Sequence, residues 1–209
     1  MISLKKTDDR KSYRFLGKRL VGIDPANIPI AGVSRAAIAQ HLNGTCYRIG
    51  RVRLHNAFVV EHQMLRLVYV RPDYSGYRKV AQRIFVKHFR KIHIDHSLGR
   101  RLASASTYAY VLLMRVSPLI NTSHGSFERP SAVTTTAPAL CFFDERIKNK
   151  SLGRFPIRGN GIRPALFDPS KSTHGGLTLK QAGKWAYAVG LGNDSTVSAL
   201  LTPLHLARP

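Results

Sequence analysis

The sequence predicts an α+β fold: a small mixed or antiparallel sheet with packed helices, plus a basic N-terminal arm and an extended basic segment. Three observations point there. Proline-punctuated runs of aromatic and aliphatic residues, at 57–71 and 107–117, have strand character. Amphipathic runs with apolar spacings of 3 and 4 alternate with them, as helices would. The remaining basic stretches show no period. With 209 residues, 44% of them hydrophobic, the chain can bury roughly 70% of its unfolded surface. Wholesale disorder is excluded on that ground. The expected organisation is an arm over 1–24, an α+β core over 25–148, an extended Arg/Gly/Pro-rich segment over 149–176, and a C-terminal helical hairpin over 177–209.

The arm, "MISLKKTDDRKSYRFLGKRL", carries Phe15 and Leu16 as its anchors. In "VGIDPANIPI", Pro25 and Pro29 block a regular helix. "AGVSRAAIAQHLNG" at 31–44 follows. Ser34 is a suitable N-cap, Val33 and Ile38 form a hydrophobic staple, and Gly44 suits a left-handed terminator, so a helix is expected over 35–43. This stretch resembles the second half of a DNA-reading helix-turn-helix. The partner helix would span 24–31, where an interior Pro29 costs on the order of 3 kcal/mol. A lone helix is the better reading.

Residues 57–71, "AFVVEHQMLRLVYVR", read as one bent strand or a hairpin, with Leu65, Leu67 and Tyr69 facing inward and Arg66 and Arg71 outward. In 76–94, "GYRKVAQRIFVKHFRKIHI", an apolar stripe of Tyr77, Val80, Ala81, Ile84, Phe85, His88 and Ile92 predicts a single long helix. Pro118 closes a buried strand over 107–117, 121–138 reads as loop, and "ALCFF" at 139–143 as a short strand. In the tail, Thr178 and Gln181 form a capping box, with Gly190 as terminator. "VGLGNDSTVSALL" resembles the turn and second helix of helix-turn-helix repressors and recombinases. It has an extra turn residue, however, and Asp194 is the only charged residue between 185 and 207. Such a helix could hold few phosphates. A hairpin that closes the core is expected instead, its second helix opening at Ser195.

Charge points to the partner. The chain has 33 Lys and Arg against 11 Asp and Glu, a formal net charge of +22. Residues 1–101 carry 21 basic and 6 acidic residues, and 102–209 carry 12 and 5, so the charge runs through segments that also look folded. A folded chain so charged repels itself unless polyanions screen it. The expected function is an RNA-binding structural component of a ribonucleoprotein particle, a bacterial or organellar ribosomal protein first. RNA is preferred over DNA, other proteins of the same particle are further partners, and no membrane is involved. A DNA-binding regulator or mobile-element protein is the alternative, and a His-dependent RNA-processing nuclease the third reading.

The candidate RNA-binding residues are Lys5, Lys6, Arg14, Lys18 and Arg19 in the arm, and Arg51 and Arg53 before the first strand pair. Arg78, Lys79, Arg83, Lys87, Arg90 and Lys91 lie on the basic helix, Arg100 and Arg101 follow it, and Arg154, Arg158 and Arg163 lie among glycines in "RFPIRGNGIRP". Each cation that meets a phosphate releases condensed counterions, which drives binding. No acidic residue lies between Asp73 and Asp95 to neutralise the helix.

"HFRKIHIDH" places His88, His93, His96 and Asp95 close together, a pattern that could serve acid–base catalysis but matches no metal-ligand spacing. No catalytic residue, metal or cofactor is expected. No Gly-Lys-Ser/Thr follows the glycines of 154–164, so a phosphate-cradling nucleotide loop is excluded. Two cysteines, Cys46 and Cys141, make neither a disulfide framework nor a zinc knuckle, which suits a reducing compartment. The first residues have no apolar signal core. "YAYVLLM" is far shorter than the ~20 residues of a spanning helix. A cytoplasmic or organelle-matrix location, mitochondrial included, follows.

Overall fold

The computed structural model describes residues 24–85, 92–125, 137–141, 145–156, 177–190 and 199–204. They form an α+β fold with antiparallel strand pairing. The strands are β1 (Ala31–Gly32), β2 (Thr45–Ile49), β3 (Ala57–His62), β4 (Leu65–Val70), β5 (His93–His96), β6 (Tyr110–Val116), β7 (Ala139–Leu140) and β8 (Leu201–Pro203). Their order is β7-β1-β6-β4-β3-β2-β8, with β5 also on β6. The helices are α1 (Arg35–Leu42), α2 (Tyr77–Ile84), α3 (Arg100–Ala105), α4 (Pro118–Gly125), α5 (Glu145–Ser151) and α6 (Leu179–Val189).

Helix α1 forms where expected: Ser34 Oγ accepts from the Ala37 N–H at 3.1 Å. Its left-handed terminator is Asn43, at φ 46°, one residue before the expected Gly44. Asn tolerates that conformation. Gly44 serves a different end, since a Cβ there would sit 2.6 Å from Val60 Cγ1 and 2.8 Å from Glu61 O. Ahead of α1, Asp24 caps a single 3-10 turn over Pro25–Asn27, and the chain then extends into β1. A helix-turn-helix at this position is thereby excluded. The Pro29 carbonyl instead accepts from the buried Tyr69 hydroxyl at 2.9 Å.

The hairpin reading of 57–71 holds, as β3 and β4 pair from Ala57↔Val70 to His62↔Leu65. Its half-buried character does not. Phe58, Val60, Leu65, Leu67 and Tyr69 join a large core with α1 and α6, while Ala57, Val59, Val68 and Val70 join a second core under α2. With helices on both faces, alternation loses its inside–outside meaning. Arg66, expected outward, is buried, and its Nε lies 2.8 Å from Glu61 Oε1 across the strand pair.

The long helix expected over 76–94 is a correction. Phe85 is already extended at φ −81°, ψ 121°, and His93–His96 is a strand. Pairing with β6, from His93↔Val116 to His96↔Leu113, overrides the helical stripe. The Leu112 N–H goes to Ile30 O, and Leu112 O accepts from the Ser97 N–H. Both groups of one residue point to the same side of a strand, so β5 takes up the edge of β6 just past β1. Proline at 118 opens helix α4, so residues 121–125 of the expected loop are helical, and 126–136 lie outside the described residues. Residues 149–151 belong to α5, the rest of 149–156 is described as well, and 157–176 lies outside the described residues.

Helix α6 has both capping-box bonds of Thr178 and Gln181 and stops at Gly190. A Cβ at Gly190 would meet Arg66 O at 2.3 Å, so only glycine lets the helix end abut β4. The second arm of the expected hairpin, 191–198, lies outside the described residues, and the chain reappears as β8 on β2.

Candidate nucleic-acid interface

The described acidic side chains all have partners within the fold. Asp24 accepts from the Ala26 N–H, Glu61 pairs with Arg66, Asp73 pairs with Arg71, and Asp95 pairs with Lys150. The predicted cations Arg51, Arg53, Arg78, Lys79, Arg83, Arg100, Arg101 and Arg154 are exposed. Among the described residues none of these eight has an ion-pair partner. Lys5, Lys6, Arg14, Lys18, Arg19, Lys87, Arg90, Lys91, Arg158, Arg163 and His88 lie outside the described residues.

Helix α2 gathers the central group. Val80, Ala81 and Ile84 bury against the sheet, which leaves Arg78, Lys79 and Arg83 outward. The Arg83 guanidinium passes 3.4 Å from where a Cβ on Gly50 would be, so α2 lies against the β2–β3 connection that bears Arg51 and Arg53. Arg78 also sits over the Tyr77 ring at 5.4 Å.

At the other end of α2, a cavity of about 280 Å³ opens between α2, β5, α3 and α4. Tyr77, Arg78, His93, Asp95, His96, Gly99, Arg100 and Asn121 are among the residues lining it. His96 is only 3% exposed and packs on Tyr77, ring centroids 4.6 Å apart. Its Nε2 is buried with no hydrogen-bond partner among the described residues. Burial, opposed by the Asp95 charge and reinforced by Arg100, Lys150 and Arg78, pushes the imidazole down to about 4. His96 is thus neutral at physiological pH. His93 Nδ1 lies 3.4 Å from Asn121 Nδ2. Buried Lys150 holds the Asp95 carboxylate.

The structure therefore brings Arg78 and Arg100 together with His93, Asp95 and His96. Asn121 and Lys150 had no sequence signal, since nothing local ties either to β5. Tyr77 was visible only as part of an apolar stripe.

Two other arrangements carry no chemistry. Cys141 Sγ lies 3.2 Å from His41 Nε2, but that nitrogen is also 3.0 Å from Asn27 O. A carbonyl requires a donor, so this nitrogen holds the proton and cannot accept one from the thiol. Burial also pushes the Cys141 thiol up to about 11. A void beside Trp185 measures about 10 Å³, room for one water at most. Among the described residues no three His, Cys, Asp or Glu side chains cluster as a metal site. Nor is any helix there long and apolar enough to cross a membrane.

No protein-family model, curated protein or solved structure matches the chain.

Proposed function

We propose that the chain binds structured RNA through backbone phosphates, as a component of a ribonucleoprotein particle. The observation that carries this reading is the mismatch in charge partners: the described carboxylates are engaged elsewhere, while the cations of the β2–β3 connection, α2 and α3 are exposed without any. Such a surface gains by releasing counterions from a polyanion. RNA is favoured over DNA because the partner helix that the first helix-turn-helix candidate needs is a 3-10 turn and a strand. Co-purification with RNA that is lost at high salt, and tighter binding to a structured RNA than to a DNA duplex of equal length, is the expected result. Equal binding to both would move the assignment to DNA, and binding to neither would end it.

The cavity favours one further reading, RNA cleavage without metal. A 2′-oxygen would attack its phosphorus as the P–O5′ bond breaks. His96, being neutral, would take the hydroxyl proton, and His93 would protonate the leaving oxygen. This requires EDTA-resistant cleavage to a 2′,3′-cyclic phosphate, lost in His93→Ala.

A further inference from the structure

We propose that the cavity between α2, β5, α3 and α4 is a binding site for one phosphodiester of an RNA chain, held by Arg78 and Arg100 with buried His96 as a hydrogen-bond donor. It rests on the RNA-binding reading and deepens it by separating a seated phosphate from those that merely lie along the surface.

Three features converge. At about 280 Å³ the cavity approaches the lower end of small-ligand pockets, roughly 300 Å³, so it suits one nucleotide unit better than a helix. Arg78 and Arg100 line it from two different helices, so their guanidinium groups can approach one anion from two sides. A planar fork of donors suits phosphate oxygens. His96 also lines the cavity and leaves Nε2 unpartnered, although a buried polar atom without a hydrogen bond costs about 1–3 kcal/mol. A phosphate oxygen would satisfy it. Among the described residues that line the cavity, the cations are Arg78 and Arg100 and the carboxylate is that of Asp95, which Lys150 engages, with His93 and Asn121 beside them.

The test uses the full chain and the dinucleotide UpU, whose one phosphodiester keeps a single negative charge across the working pH range. Uridine, which lacks the phosphate, is the control. UpU is expected to bind at least tenfold more tightly than uridine and to shift the His96 ring signals of ¹⁵N-histidine-labelled protein. Arg78→Ala and Arg100→Ala, both at exposed positions, are each expected to weaken UpU at least fivefold. Arg51→Ala with Arg53→Ala is expected to leave UpU binding unchanged while weakening structured RNA. UpU binding no tighter than uridine, or unaffected by the Arg78 and Arg100 changes, overturns the site even where structured RNA still binds. UpU seated at His96 without affinity for structured RNA keeps the site and removes the broader reading.

Discussion

Helices α1 and α2 are both eight residues long and both bury three apolar residues on the central sheet, yet they differ in how their ends are capped. Helix α1 has a Ser34 cap, an Asn43 terminator and a buried face of Ile38, Ala39 and Leu42. Helix α2 starts at Gly76 with no side-chain cap and has Arg78 and Lys79 in its first turn, against the helix dipole. Lys79 and Arg83 also repel each other at i,i+4. The contrast teaches that α1 is built for the core, whereas α2 covers its core with a face that stability alone would not select.

The contrast breaks most sharply at Ile38. Ile38→Ala, in a fully buried position, is expected to cost about 2–5 kcal/mol by urea denaturation with RNA affinity unchanged in the folded fraction. An RNA defect equal to that of the α2 variants would erase the distinction.

The second effect belongs to the α2 side and depends on pH. His96 is pushed from 6.5 to about 4 in the folded chain. Above pH 6.5 it is neutral in both states and imposes no penalty. As pH falls from 6.5 toward 4 the unfolded chain takes up the proton first, so up to about 3 kcal/mol of stability is lost. His96→Gln should flatten that part of the stability–pH curve. A curve with the same slope would place the acid sensitivity elsewhere.

The smallest effect sharpens the comparison. Lys79→Glu puts a carboxylate in the first turn of α2 and is expected to raise stability by about 0.3–1 kcal/mol while it weakens RNA binding. A variant that is less stable would show that Lys79 serves the fold.

What could be read from the sequence follows the range of the interactions. The starts of α1 and α6 were legible because Ser34 and Thr178 bond to backbone three residues on. The cations of α2 were legible as well, because charge needs no partner to be seen. The strand β5 was hidden: Phe85, His88 and Ile92 continue the helical stripe, and only the β6 register from Val116 to Leu113 makes 93–96 a strand. Arg66 looked outward because its burial and its partner, Glu61, are set by the fold. The cavity was hidden for the same reason, since Asn121 and Lys150 reach β5 only through tertiary packing.

The most direct measurement is the salt dependence of binding to a structured RNA, for the native chain and for the triple variant Arg78→Ala, Lys79→Ala, Arg83→Ala. If these side chains meet phosphates, the slope of log K against log salt should fall by about one per lost contact, about three in all, with the unfolding free energy not lowered by more than about 0.5 kcal/mol. An unchanged slope and unchanged affinity in a folded triple variant would contradict the account.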